Sequence, residues 1–246
     1  TVRVSEHTHR LARDYFEFTS LGEFAVKGKE RPQPAYELLR PGEVATRFGA
    51  SVARGLTRFV GREKQMEALR EVFDKTRAGS GHVVGIVGEA GVGKSRLVLE
   101  LRNRLPKESC TYLEGRCLHF GGAMPYLPIL DIVKSHFDIE EDDREYLLKK
   151  KVREKLIRLD GKLLASLPSF HEILSVPVGD EKYLQIDPQQ RRQRIFEAIR
   201  DLLLRESQVK PLLLAVEDLH WIDKTSRDFL DYLIGWMANS RILLVL

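Results

Sequence analysis

An α/β fold, with helices in layers on both sides of a parallel sheet, is what this sequence predicts, and three stretches carry the prediction. The first is HVVGIV, His82 to Val87, a short apolar run that leaves the turn-like GSG at Gly79 to Gly81 and leads into GEAGVGKS and then SRLVLELRNRL. The second is PLLLAVED, where Pro211 opens an unbroken apolar run, Leu212 to Val216, that stops at Glu217 and Asp218. The third is RILLVL at Arg241 to Leu246. Unbroken apolar runs are the mark of strands buried on both faces, and such strands occur in parallel sheets covered by helices.

The remaining elements follow in chain order. SEHTHRLARDYF predicts a short helix with Ser5 as its N-cap and Leu11 and Tyr15 at one spacing. FEFTSLGEFAVKGKERPQPAYELL predicts short strands joined by turns at Gly22 and at Lys27 to Lys29, with Phe24, Val26, Tyr36 and Leu38 as apolar members. So small a sheet supplies little core, and residues 1–39 are expected to be the end of a domain that begins upstream. Residues 40–56 read as a linker or as an irregular segment lying on the next domain, which occupies 57–246. Met66, Leu69 and Phe73 mark the buried side of a helix ending before Gly79. After the glycine loop, Leu97, Leu101 and Leu105 recur every four residues while Arg96, Glu100, Arg102 and Arg104 can face water. TYLEGRC is a second strand, and Pro125 and Pro128 begin a helix through Ile129, Ile132 and Val133. Glu141 to Arg158 reads as a solvated helix, acidic at its start and basic at its end, as the helix dipole favours. Pro188 to Arg205 carries Ile195, Ile199 and Leu202 inward; its Arg191, Arg192 and Arg194 read as plain surface, or as a face for phosphate or a partner. Asp223 caps a helix with Phe229, Leu230 and Leu233, and RILLVL is the further strand.

The chemistry resides in two of these stretches. GEAGVGKS matches G-x-x-x-x-G-K-[ST], in the strand, loop and helix order that a phosphate-binding loop requires. Gly88, Gly91 and Gly93 allow a tight turn whose N–H groups converge on phosphate oxygens, with Glu89, Ala90 and Val92 supplying further backbone. Lys94 brings a mobile positive charge to the β- and γ-phosphates, Ser95 a hydroxyl to Mg²⁺, and Arg96 follows in the first helical turn. The positive end of the helix dipole points at the same anion. A nucleotide site of this kind also needs a carboxylate at the end of a neighbouring strand, where ligands bind in parallel α/β sheets. Glu217 and Asp218 are the candidates, Glu217 for the metal and Asp218 for orienting water, so Lys94, Glu217 and Asp218 form the expected catalytic set. The usual order is Asp first, then Asp or Glu; Glu217 reaches the metal through one more methylene. A displacement of about 1 Å at a catalytic group can cost on the order of 100-fold in rate, so this departure bears on turnover more than on binding. His220 and Trp221, just beyond, read equally well as loop or packing residues.

Composition sets the outer limits. The chain has 246 residues, 43% of them apolar, enough for one full domain and part of another. A net charge of +4 from 40 basic and 36 acidic residues is a mixed surface that does not point to nucleic acid. Cys110 and Cys117 bracket a strand without forming a metal-ligand cluster, which fits a reducing cytoplasm better than a disulfide framework. No apolar run approaches the length of a membrane span, and no secretory signal opens the sequence.

Together FVGRE at Phe59 to Glu63, GEAGVGKSRLVLEL, EGRC at Glu114 to Cys117 and LLLAVEDLHWID at Leu212 to Asp223 resemble the AAA-type ATPase module of the signal-transduction (STAND) P-loop NTPases. Upstream, VSEHTHRL and FEFTSLGEFAVKGKERPQPAYEL resemble the C-terminal end of a bacterial class III adenylate/guanylate cyclase domain, and the order of the two resembles a cyclase–ATPase fusion. The resemblance implies ATP and Mg²⁺ as ligands, with Val60, Gly61 and Arg62 near the adenine and Phe59 seating that segment. It implies that the cyclase aspartates and the asparagine–arginine pair lie upstream, so residues 1–39 make no cyclic nucleotide themselves. It implies a sheet and lid completed beyond residue 246, regulatory or repeat domains downstream, and a homodimer formed through the cyclase domain. On this resemblance the expected function is ATP–Mg²⁺ binding and slow hydrolysis that controls cyclase output. The alternatives are a nucleotide-gated scaffold of a large transcriptional regulator, marked by a downstream DNA-binding domain, and a ring-forming AAA motor needing an arginine across a subunit interface.

Overall fold

The computed structural model describes residues 1–26, 28–29, 31–42, 47–106, 108–118 and 125–246, and contacts divide the chain into the units Thr1–Val60 and Gly61–Leu246. In the first unit the chain forms β1 (Val2–Ser5), α1 (Glu6–Ala12), β2 (Phe16–Phe24), β3 (Gln33–Pro41) and α2 (Arg47–Ala53). The strands make an antiparallel sheet in the order β1-β3-β2. Ser5 caps α1 as expected, its side chain accepting from the Thr8 amide. His9 of α1 stacks on Tyr36 of β3 with ring centroids 3.8 Å apart and meets Phe18 of β2 edge-on at 5.0 Å. Among the described residues of this unit, Ala50 alone is a fully buried apolar side chain.

Two expectations for this unit are corrected. Gly22 is not a turn: it sits inside β2 at a register shift opposite Ala35, with φ of 86°, so the glycine permits a bulge in a continuous strand. The segment 40–56, expected to be a linker or an irregular segment on the next domain, holds regular structure of the first unit in its described residues: Arg40 and Pro41 extend β3 and Arg47–Ala53 is helical. The turn at Lys27 to Lys29 is closed by the Lys29 amide donating to the Val26 carbonyl at 3.0 Å; Lys27 itself lies outside the described residues.

The second unit is a three-layer α/β structure. Its helices are α3 (Glu63–Arg77), α4 (Lys94–Arg104), α5 (Leu127–His136), α6 (Glu145–Leu159), α7 (Leu167–Ile173), α8 (Glu181–Leu184), α9 (Pro188–Val209) and α10 (Lys224–Ile234). Its strands are β4 (His82–Val84), β5 (Thr111–Arg116), β6 (Leu212–Glu217) and β7 (Ile242–Val245), all parallel in the order β4-β7-β6-β5. The strand expected over His82 to Val87 is regular only to Val84. Beyond it the pairing continues singly, with the Ile86 amide donating to Leu246 at 2.7 Å, and Val87 turns out to solvent.

Residue alternation sorts the core. Leu212, Leu214 and Val216 of β6 join Ile242 and Leu244 of β7 and Leu113 of β5 in a cluster with α5, α9 and α10. The alternate residues turn to the opposite face, where α3 contacts β7 and Met66, Leu69, Phe73, Leu97 and Leu101 are buried. Each fully buried aliphatic side chain contributes about 1.5–3 kcal/mol, so β6, with all five residues from Leu212 to Val216 no more than 2% exposed, anchors the sheet. Gly115 lets α5 lie against β5, because a Cβ there would collide with the Pro128 carbonyl oxygen.

Helix α6 departs from its expected solvated character. It starts at Glu145 and buries Leu148, Val152 and Leu156 in the core cluster, so only part of its surface is wet. The 3₁₀ turn Gly161–Ser166 and α7, which the sequence left unassigned, complete that side, with Phe170 edge-on to Phe137 at 5.1 Å. The basic residues at the start of α9 hold helices together: Arg191 pairs with Glu172 of α7 at 3.5 Å and Arg192 with Asp228 of α10 at 2.5 Å.

Candidate functional site

The glycine loop runs from the end of β4 to the first turn of α4. Gly91 and Gly93 have φ of 79° and 92°, left-handed conformations that side chains resist, and Gly93 is the N-cap of α4 without a side-chain cap. The first amides of α4 are therefore not covered by a capping side chain, and the exposed residues Gly88 to Gly93 leave the loop backbone accessible to an anion. The Lys94 ammonium folds over the loop, donating to the Gly88 and Glu89 carbonyls, each at 2.9 Å. Arg62, beside Gly61 at the start of α3, donates from Nη2 to the Val92 carbonyl at 2.9 Å. Gly61 takes a φ of 76° and its amide donates to Glu63 at 3.2 Å. Val60 is the last residue of the first unit. Arg96 turns along α4 and pairs with Glu100 at 2.6 Å.

The second half of the site is the carboxyl end of β6. The Ser95 hydroxyl lies near enough to the Glu217 carboxylate to favour its charged form, so the loop and the acidic strand end approach each other at these two side chains. Burial pushes the Glu217 carboxyl above the usual carboxylate range, as does the nearby charge of Glu114, while the Ser95 hydroxyl and Arg116 pull the other way. Asp218 follows with φ 60° and ψ 42°, a left-handed conformation that Asp tolerates better than most residues. Backbone conformations of this kind cost of order 1 kcal/mol and concentrate at functional sites. The Asp218 carbonyl accepts from the Trp221 amide at 2.9 Å, starting the 3₁₀ turn Leu219–Trp221. His220 and Trp221 lie against each other, ring centroids 4.9 Å apart.

The donor chemistry fits Mg²⁺. A hydroxyl and a carboxylate are hard oxygen ligands, and Mg²⁺ takes one or two protein carboxylates together with substrate phosphates. Among the described residues no group of three or more His, Cys, Asp or Glu side chains converges as a metal site. Sequence reasoning assigned no role to Glu114, Arg116 or Asp131. The Tyr112 hydroxyl donates to Glu114 at 2.8 Å, Arg116 Nε donates to Glu114 at 2.5 Å, and Asp131 accepts from the Arg116 amide at 3.1 Å. Their signal was present in TYLEGR, where Tyr112, Glu114 and Arg116 alternate as polar residues on one face of a strand in an otherwise apolar sheet.

The fold and the glycine loop define the class: an α/β P-loop NTPase. Residues 58–245 match the family model for the AAA ATPase domain, and the chain belongs to that family. Over 245 residues it is also 29% identical to an uncharacterized protein of Rhizobium meliloti (strain 1021); the match takes in 100% of this chain and 24% of that relative, so the chain spans about a quarter of its length. No described helix is long and apolar enough to cross a membrane.

Proposed function

We propose that the unit Gly61–Leu246 binds ATP with Mg²⁺ and hydrolyses it slowly as a regulatory module. The observation that carries this reading is the glycine loop itself, with Lys94 folded onto the Gly88 and Glu89 carbonyls ahead of the first turn of α4, and with Glu217 at the carboxyl end of β6 close enough to Ser95 for the hydroxyl to favour its charged form. In this reading the loop amides from Gly91 to Ser95 and the start of α4 hold the phosphates, and Lys94 exchanges its two carbonyl bonds for phosphate oxygens. Ser95 and Glu217 hold the cation, which when bound neutralises charge on the β- and γ-phosphate oxygens. Asp218, fixed at the turn out of β6, orients the attacking water. Arg62 braces the loop from the side that the resemblance assigns to the base. Glu217 in place of the usual Asp supports slow turnover, since its longer arm places the carboxylate differently.

For the longer protein the proposal is control of an adjoining nucleotide cyclase, with dimerisation through that domain. What supports it is the likeness of residues 1–39 to a cyclase C-terminal end, together with a first unit whose small antiparallel sheet buries little of its own. ATP titration in Mg²⁺ buffer with the wild type and Lys94→Ala tests the site. Loss of charge-assisted hydrogen bonds worth about 1.5–3 kcal/mol predicts roughly 10–100-fold weaker binding, and unchanged affinity overturns the loop assignment. Single-turnover hydrolysis unaffected by Asp218→Asn would overturn the water-orienting role.

A further inference from the structure

Beside the loop and the strand end lies a third group of charges, on β5. Arg116 is in register with Glu217 across the parallel β5–β6 pair. Neighbouring strands lie about 4.8 Å apart and residues in register point to the same face, so a guanidinium stands next to the carboxylate assigned to the metal. Glu114 lies two residues earlier on that same face, with Arg116 Nε donating to one of its oxygens at 2.5 Å and the Tyr112 hydroxyl to the other at 2.8 Å. Arg102 of α4 lies over the Tyr112 ring at 4.5 Å, which steadies the tyrosine from the helix layer. On the strand itself, Asp131 of α5 holds the Arg116 amide at 3.1 Å. Glu114 and Arg116 are mostly shielded, their side chains 20% and 35% exposed, so water screens their charges only in part.

We propose that Glu114 and Arg116 are positioning residues for Glu217, and that their opposite charges set how strongly the Ser95–Glu217 pair takes Mg²⁺ together with ATP. The proposal rests on the reading of Ser95 and Glu217 as the cation site. Arg116 is shared between two carboxylates. With Glu114 present, the guanidinium is largely neutralised and offsets less of the negative potential that the cation meets at Glu217. Glu114→Gln leaves the Arg116 charge to act on Glu217 alone, which opposes a divalent cation. Arg116→Gln leaves two carboxylates side by side, which favours one. A salt bridge that served only to stabilise β5 would give no such opposition of sign.

The test is the Mg²⁺ concentration that gives half-maximal binding of a fluorescent ATP analogue at fixed nucleotide, read by fluorescence without turnover. Glu114→Gln is expected to raise it and Arg116→Gln to lower it, each about fivefold, the scale for a unit charge several ångströms away in a partly solvated site. The double variant and Arg116→Lys are expected near the wild type, as is Tyr112→Phe, which removes a hydrogen bond without changing charge. If Arg116→Gln does not fold, the contrast between Glu114→Gln and Arg116→Lys carries the same test. Shifts of the same sign in both single variants, or no shift in either while Ser95→Ala raises the Mg²⁺ requirement, would overturn the proposal alone. No shift in Ser95→Ala and Glu217→Gln would overturn the cation-site reading, and this proposal with it.

Discussion

Acidification from pH 7 to pH 5 is expected to cost the unit Gly61–Leu246 about 2 kcal/mol through His136 alone. The side chain is 3% exposed on α5, lies edge-on to Phe137 at 5.0 Å, and finds no hydrogen-bond partner for Nε2 among the described residues. Burial, assisted by the positive charge of Lys155, lowers its pKa from 6.5 to about 4. The folded protein therefore refuses a proton that the unfolded chain accepts near pH 6.5. The stabilisation is fully present above that pH, is lost as pH falls, and is gone below about 4. The whole gap corresponds to about 3 kcal/mol at 1.36 kcal/mol per pH unit, of which about 2 falls between pH 7 and 5. Urea unfolding followed by tryptophan fluorescence reads this unit selectively, since the two tryptophans, Trp221 and Trp236, both belong to it. His171, whose pKa is also lowered by burial, contributes a loss of the same sign, so the measured quantity is the difference between the wild type and His136→Met. That difference should change by about 2 kcal/mol across the interval. A constant difference from pH 7 to pH 5 would show that burial does not hold His136 neutral.

Three further outcomes are expected. Gly115→Ala should lower unfolding stability by about 2 kcal/mol, because its Cβ meets the Pro128 backbone, whereas Gly161→Ala, with nothing within 4 Å, should change it little; equal urea midpoints would contradict this. Asp223→Ala should cost about 1–2 kcal/mol in a thermal melt, since this buried carboxylate accepts from the Ser226 amide at 2.9 Å and hydroxyl at 2.5 Å, and from the Tyr126 amide at 3.4 Å. The Cys117 thiol is pushed up to about 12 by burial and by the charges of Asp223, Asp218 and Asp131, so in a Cys110→Ser background a thiol reagent at pH 8 should label it only on unfolding. Rapid labelling of the native protein would show that α5 does not cover it.

The site was legible where residue type alone dictates backbone. Gly91, Gly93, Lys94 and Ser95 have few other reasons to occur at that spacing, and Leu212 to Val216 can only be an interior strand. Asp223 and Ser5 were legible as caps because short polar side chains compete for free amides. What escaped depends on partners that no local pattern names. Glu114 and Arg116 acquire meaning only from the β5–β6 register. The charges of α6 concealed the buried stripe of Leu148, Val152 and Leu156. Gly22 carries the same permissive backbone in a bulge as in a turn, and the choice was made by pairing with β3.

The strand order has a consequence for how the protein acquires its site in time. Strand β4 ends at Val84, yet the strand it pairs with, β7, begins at Ile242, after every other element of the unit has been synthesised. The glycine loop thus hangs from a strand whose partner among the described strands, β7, comes much later in the chain. Closing so long a loop is entropically costly and slow. Nucleotide competence therefore waits on the β4–β7 pairing and is lost when that pairing frays. A nucleotide that binds only the closed seam would hold it shut, so ligand supply and structural integrity become one quantity along β4 and β7.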